Sequence, residues 1–391
     1  MNHPTTQPNN ILVIITHGGM GDLLLSSVLA EVLHRCYPGC RVTFWAQRRF
    51  ASLLENHPFI DALLDMDSAA PLLQSAKLLR QHHFDTVLVP WSVSRHAWLT
   101  RFAGIPTRVG QGGRLTYSFL FTHPVRVRSV YGDTTSHWAD IQLDYARAIG
   151  CQPDGELEPV VITTAAEKET AATLLKSAGV TGNKPICGLH ICKGLVVDEN
   201  RWPLDRFVDI AAGLLQNDYD VILTGTATEK PLTASVAAQT QEKLAQLTLL
   251  QPESNVDTHN NDPHILDLAG ACSLRETAAL IEKMNVFICP DTGTGHLAAA
   301  LGVPVVDIFP LRSDFPARWR PAGINHRIIR PTAWECGGPC VKETCPRFTC
   351  LLHIDPQEVV NAAVELIGDS PQSPPKNRTW KKTNSNIPHL Y

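Results

Sequence analysis

The chain contains no uninterrupted apolar run long enough to span a bilayer: the best candidate, starting at Ile11, is broken by His17, Gly18, Gly19 and Asp22. Its first residues, MNHPTTQPNN, carry no lysine or arginine, so no secretory leader is read and a cytoplasmic protein is expected. An excess of positive charge is also lacking. Lysine and arginine number 34 against 38 aspartate and glutamate, a net charge of −4, which excludes a nucleic-acid partner held by chain-wide phosphate neutralisation. No segment recurs at a period of about 20–50 residues, which excludes a solenoid. With only 18% charged residues, 44% hydrophobic ones and 28 prolines spread along its length, the composition is globular and neither disordered nor fibrous.

What is present is a strand-then-helix rhythm. Ile11–Thr16 (ILVIIT) is a continuous β-rich run, followed by a glycine turn and an amphipathic stretch from Leu23 to Arg35. Arg41–Ala46, Ala62–Asp65 and Thr86–Pro90 read as further strands, with Pro71–His82 helical between the last two. Proline, glycine and acidic residues at Cys151–Pro159 interrupt the pattern and mark a boundary. The rhythm then restarts with strands at Pro185–His190, Asp220–Thr224, Val286–Cys289 and Val303–Phe309. Helices are predicted at Glu167–Ala178, Leu204–Gln216, Glu229–Leu247, Ser273–Lys283 and Gly295–Leu301, the fourth opened by a Ser273/Glu276 capping box. For 391 residues, two consecutive doubly wound α/β halves are the simplest fold. We expect an N-terminal domain over 1–155, a C-terminal domain over 156–354 with a cysteine-rich loop at 336–353, a closing helix at 355–368 that crosses back onto the N-terminal domain, and a disordered tail at 369–391.

Two glycine-bearing turns could carry chemistry. Gly18-Gly19-Met20-Gly21-Asp22 lies between a strand and a helix, where missing side chains allow close backbone approach to a ligand and helix N-terminal amides face an anion. Neither a full dinucleotide fingerprint nor a Gly-Lys-Ser/Thr phosphate loop is spelled, which disfavours nicotinamide and ATP-hydrolysing chemistry. Asp22 is either a helix-start carboxylate satisfied by the dipole or a general base. The second turn, Asp291-Thr292-Gly293-Thr294-Gly295-His296, offers hydroxyls, amides and an imidazole ahead of a helix of small residues, which suits a pyrophosphate and its sugar. Thr226 and Glu229 follow a third strand end. Glu229 either accepts from ribose hydroxyls or is a solvated helix-start acid. Lys193 and Arg201 are placed to neutralise a diphosphate. Between Thr86 and Gly132 stand six arginines, Arg95 and Arg101 among them, without one carboxylate. They form either a local anion-facing surface or a set of solvated loop cations.

Gly21-Asp22, Arg201-Trp202-Pro203, Asp291-Thr292-Gly293 with His296, and the run Ala299-Ala300-Leu301-Gly302-Val303-Pro304 together resemble glycosyltransferase family 9, the ADP-heptose:lipopolysaccharide heptosyltransferases, over residues 10–367. The resemblance implies a GT-B fold, two Rossmann-like domains facing across a cleft, and inverting, metal-independent transfer of heptose or a related sugar from ADP-heptose to a lipopolysaccharide-core-like or other glycan acceptor. It implies Asp22 as the base; Asp291, Thr292, Gly293 and His296 on the donor's diphosphate and sugar; and Glu229, beside Thr226, on the ribose. Where family members commonly carry a lysine two residues before the Trp-Pro pair this chain has Asn200, which leaves phosphate neutralisation to Arg201 or Lys193. Gly19, Gly21, Arg95 and Arg101 fall on the acceptor side. The implied partners are a nucleotide-diphosphate sugar and a glycan or glycolipid, with peripheral contact at the inner face of the inner membrane and no nucleic acid. Two other readings share the fold: a nucleotide-sugar epimerase or hydrolase, and a non-catalytic module that binds a sugar nucleotide or glycan.

No cofactor is expected for catalysis. The eleven cysteines are odd in number and mostly sit in apolar context, as reduced thiols do. Cys336, Cys340, Cys345 and Cys350 cluster as C-x3-C-x4-C-x4-C and either hold a structural zinc or iron or stay as thiols, free or partly disulfide-linked.

Overall fold

The structure is a computed structural model that describes residues 7–155, 157–180, 182–191, 204–250, 264–309, 316–323, 325–331, 349–369 and 388–390. It contains two compact units. The first holds the described residues up to Ile162 together with Ala317–Gly323 and the end of the chain; the second holds Thr163–Pro316 and the residues from 325 to Asp369.

The first unit is built on β1 (Asn10–Ile15), β2 (Arg41–Ala46), β3 (Ala62–Leu64), β4 (Thr86–Val89), β5 (Thr107–Gln111) and β6 (His123–Val125). The second is built on β7 (Ile186–His190), β8 (Asp220–Thr224), β9 (Ile265–Asp267), β10 (Val286–Pro290), β11 (Val305–Ile308) and β12 (His326–Ile329). A last short strand, β13 (His389–Leu390), joins the first sheet, and every pairing in both sheets is parallel. The orders are β13-β3-β2-β1-β4-β5-β6 and β9-β8-β7-β10-β11-β12, so the second unit repeats the strand order of the first. In each, chain direction across the sheet reverses beside the first strand, and ligands of such folds lie beyond the carboxyl ends of the strands at that point.

Burial explains why the strands read as continuous apolar runs. In β1, Ile11, Val13 and Ile15 enter the core on one face, with Leu29, Val32 and Tyr145, while Leu12 and Ile14 enter the core on the other, with Leu79, Ala97 and Leu99. The second unit buries Leu189, Val221, Leu223, Ile288 and Val306 under the helices Leu204–Gln216 and Pro356–Asp369.

Four expectations need correction. The helix read from Leu23 to Arg35 is two, Met20–Ser26 and Val28–Cys36. Ser26 Oγ donates to Asp22 O at 2.7 Å and Ser27 Oγ to Leu24 O at 2.7 Å, and such back-bonding competes with the helical ladder. The boundary drawn at 155/156 moves to Ile162/Thr163, since Leu157 packs in the first core. The closing helix exists as Pro356–Asp369 and belongs to the second unit. Val359, Val360, Ala363 and Leu366 fill the second unit's core, each contributing about 1–3 kcal/mol by leaving water. Finally, of the tail expected to lack structure over 369–391, Asp369 closes that helix and His389–Leu390 forms β13 against β3, while 370–387 lie outside the described residues. The exposed edge of β3 supplies the reason: Leu63 N–H donates to Pro388 O at 3.0 Å and Asp65 N–H to Leu390 O at 2.9 Å.

Among the described residues no helix is long and apolar enough to cross a membrane.

Candidate active-site residues

In the first unit the chain leaves β1 through Thr16 and His17 and turns at Gly18, whose φ of +89° is left-handed and favours glycine. Gly19 caps the helix Met20–Ser26, and its N–H donates to Asp22 Oδ2 at 2.8 Å. Asp22 Oδ1 is buried and has no hydrogen-bond partner among the described residues. Burial raises the Asp22 carboxyl above its ordinary 3.8, against the lowering effect of the Gly19 N–H. A carboxylate with one oxygen fixed and the other stripped of water has the raised proton affinity that suits a base. Gly21 is buried in the first turn of the same helix, and Gly19 is exposed.

The neighbourhood of that turn contains groups the sequence did not single out. Thr16 Oγ1 is hydrogen-bonded to His17 Nδ1 at 3.0 Å and to His96 Nε2 at 2.9 Å, and the two imidazoles meet edge-on with centroids 5.1 Å apart. Burial, with His17 nearby, pushes His96 down to about 3, so it is neutral at physiological pH. His17 adjoins the glycine turn and could have been read from it; His96 is 80 residues from Thr16 and could not.

Arg95 and Arg101 are not brought together. They stand at opposite ends of the nine-residue helix Ser94–Phe102, about 13 Å long. Arg95 is at the end that follows β4 and donates to Ala70 O; Arg101 is exposed in the last turn. Only Arg95 shares the sheet edge that carries Asp22.

In the second unit the sites read from sequence converge on one sheet edge. Thr226 follows β8, and Glu229 Oε2 accepts from Thr226 N–H at 2.7 Å and Thr226 Oγ1 at 2.8 Å, so the turn locks the buried carboxylate. Asp291 follows β10, its N–H donating to Ile308 O at 3.0 Å. Thr292 is the N-cap of the helix Gly293–Ala300 but makes no side-chain capping bond; its Oγ1 pairs with Thr294 Oγ1 at 2.8 Å. The helix runs close to β10 because residue 295 is glycine: a Cβ there would stand 2.8 Å from Cys289 Sγ. His296 is buried one turn in. Strand β7 separates β8 from β10, so the two turns lie about 10 Å apart along the sheet edge. At the end of β7, His190 Nδ1 is hydrogen-bonded to Thr224 Oγ1 at 3.0 Å. Burial pushes it down to about 4 although Glu229 opposes this.

Lys193 and Arg201 lie outside the described residues, as do Cys336, Cys340 and Cys345; Cys350 falls in the short 3-10 helix Thr349–His353. Among the described residues no three His, Cys, Asp or Glu side chains group as metal ligands, and six cysteines are free thiols.

Residues 72–349 match the model of glycosyltransferase family 9 (heptosyltransferase). Lipooligosaccharide heptosyltransferase 2 of Haemophilus influenzae is 22% identical over 76% of this chain and 82% of its own length. Lipopolysaccharide heptosyltransferase 2 of Escherichia coli K12 is 24% identical over 82% and 87%. Among solved structures, a family 9 glycosyl transferase of Veillonella parvula superposes with a TM-score of 0.74 at 21% identity, covering 94% of this chain and all 100% of that one. ADP-heptose lipopolysaccharide heptosyltransferase II of E. coli gives 0.69 at 22%, covering 92% and 98%. With the family matched over most of its length and both units doubly wound as the GT-B fold requires, the chain belongs to glycosyltransferase family 9 and is a glycosyltransferase.

Proposed function

We propose that the enzyme transfers heptose, or a closely related sugar, from ADP-heptose to a lipopolysaccharide-core-like or other glycan acceptor, with inversion and without a catalytic metal. The observation that carries the reading is Asp22, fixed through Oδ2 by Gly19 and presenting a buried Oδ1 that has no partner among the described residues. In the proposed step Asp22 Oδ1 takes the proton of the acceptor hydroxyl. The hydroxyl oxygen bonds to the anomeric carbon, and the bond from that carbon to the diphosphate breaks with its electron pair leaving on ADP. The departing charge is met by the amides at the start of Gly293–Ala300, which has no side-chain cap, and by His296, with Asp291, Thr292 and Gly293 shaping the turn. Glu229, held by Thr226, accepts from the ribose. Lys193 and Arg201 supply positive charge to the diphosphate, and Gly19, Gly21 and Arg95 border the acceptor. The heptosyltransferase names of the relatives in Haemophilus and Escherichia support the sugar and acceptor class. The work is proposed to be done in the cytoplasm, against the inner membrane face when the acceptor is lipid-linked.

The deciding test is calorimetric titration of the full chain with ADP, ADP-heptose and uridine diphosphate sugars, followed by ADP release in the presence of acceptor and chelator. Selective binding of the adenine compounds and acceptor-dependent, chelator-insensitive release are expected. Selective uridine binding, or equal release without acceptor, overturns the assignment in favour of another donor or of hydrolysis.

A further inference from the structure

The helix Ser94–Phe102 faces inward with His96, Ala97, Leu99 and Thr100. Its outward stripe, at the i, i+3, i+4 spacing that puts side chains on one face, is Ser94, Trp98, Arg101 and Phe102. A solvent-facing stripe is ordinarily polar; here two of its four side chains are aromatic. Trp98 and Phe102 are 37% and 39% exposed and stacked with centroids 5.5 Å apart. Phe119, 68% exposed on the short helix Ser118–Leu120, meets Trp98 edge-on at 6.1 Å, and Leu115, in the loop before it, is 98% exposed. Four large apolar side chains therefore project from one part of the first unit, with three of the rings in contact.

The charged residues of the segment that carries them have one sign. Arg101 and Arg114 are exposed, and among the described residues neither pairs with a carboxylate. No aspartate or glutamate occurs between Thr86 and Gly132. Other arginines of this segment are already engaged: Arg108 donates to the carbonyls of Leu120 and Ile105, and Arg128 pairs with Asp140 and Asp144. Arg126 lies over the Tyr131 ring, whereas Arg101 stands beside Phe102 on the same helix and Arg114 precedes Leu115.

We propose that this face docks the enzyme on an anionic lipid bilayer, with Trp98, Phe102, Phe119 and Leu115 entering the headgroup region and Arg101 and Arg114 meeting lipid phosphates. Aromatic rings favour the depth at which a bilayer passes from polar to apolar, and each surface arginine gains from the negative potential. A second copy of the chain fits less well. Two such faces brought together would set arginine against arginine with no carboxylate from the segment to offset them. The docking helix is also fastened to the catalytic side of its unit, because His96 on its inner face is hydrogen-bonded to Thr16, which leads into the Asp22 turn. In the one respect that rests on the proposed function, docking by this face would bring a chain without a spanning helix among its described residues to a lipid-linked acceptor.

The test is co-sedimentation of the full-length protein with vesicles of phosphatidylcholine, with and without phosphatidylglycerol, without donor or acceptor, so that it stands apart from the sugar assignment. The unaltered protein should bind the phosphatidylglycerol vesicles and lose binding as salt is added. Replacing Arg101 and Arg114 by Gln should weaken binding about fivefold for each arginine. Trp98→Ser with Phe102→Ser and Phe119→Ser should weaken it about tenfold or more. Phe119→Ser alone, at the most exposed ring, serves if the triple variant melts early. Absence of vesicle binding, variants that bind as tightly as the parent, or an oligomer that the serine variants dissolve would each overturn the proposal, the last by assigning the face to a second copy.

Discussion

Gly18 lies against Asp22 so closely that a methyl group on residue 18 would stand 2.8 Å from Asp22 Oδ2 and 2.9 Å from its Cβ. With φ at +89°, alanine there is strained by its backbone and by this contact together. Gly18→Ala is expected to cost about 1–2 kcal/mol of stability and, by moving the carboxylate, to lower kcat about 100-fold. Donor binding, which the proposed function places on the second unit, should stay within error in calorimetry. An unchanged kcat would remove the turn from the catalytic machinery.

Asp22→Asn keeps the acceptor for the Gly19 N–H and loses the proposed base. Turnover should fall by about 10²–10⁴ while ADP still binds. The pH dependence has a definite sign. Burial raises the Asp22 pKa in the folded state, so between the ordinary 3.8 and the raised value the folded protein keeps a proton that the unfolded chain has released. Stability therefore falls as pH rises through that window, and the full cost of the buried charge is present above it. The asparagine variant should melt higher than the parent at neutral pH, with the two curves converging below the unfolded value. The acid limb of the parent's rate profile should lie above the usual carboxylate range.

Glu229→Gln tests the proposed ribose contact. Thr226 aims Glu229 Oε2 through two hydrogen bonds, and glutamine keeps the shape while losing the charge that strengthens acceptance from a hydroxyl. Affinity for ADP should drop about tenfold, read by calorimetry, with little change in affinity for a nucleotide-free sugar diphosphate. Equal loss for both ligands would place Glu229 on the diphosphate and not the ribose.

Arg275 and Glu167 tie two helices of the second unit with a forked pair, Nε to Oε1 at 2.8 Å and Nη2 to Oε2 at 2.7 Å. Burial by itself would raise Glu167, but the Arg275 hydrogen bonds and the Thr164 N–H outweigh it and hold the carboxyl below its ordinary 4.5. Its stabilisation is therefore present above the unfolded value and is lost as pH falls through the folded one. Arg275→Met leaves the carboxylate partly buried and unpaired, at a cost of about 3 kcal/mol. Thermal melts at pH 7 and at acid pH check this: the difference between parent and variant should shrink on acidification.

The sequence made legible whatever is local. The apolar runs of β1, β7, β8 and β10 are visible because strands buried on both faces need no alternation. The Ser273/Glu276 capping box forms as read, and Thr164 with Glu167 forms the same box from the same spelling. Short polar strands such as β6 (HPV) leave no such trace, since their identity comes from the neighbour they pair with. The pattern of Pro356–Asp369 announces an apolar face without saying which sheet receives it. The site divides in the same way. The Asp22 and Asp291 turns are spelled in consecutive residues, whereas the Thr16–His96 bond joins distant ones. Arg101 reads as a companion of Arg95 along the chain, but a helix carries it away from the Asp22 edge.

The first unit is a discontinuous body, closed by Ala317–Gly323 and by β13 from residues that follow the whole of the second. On the ribosome it therefore cannot complete its sheet until residue 390 has been made, and the second unit is the first to have all its described strands available. Until then β3 is an open edge, and shielding it during synthesis falls to chaperones and to the speed of elongation.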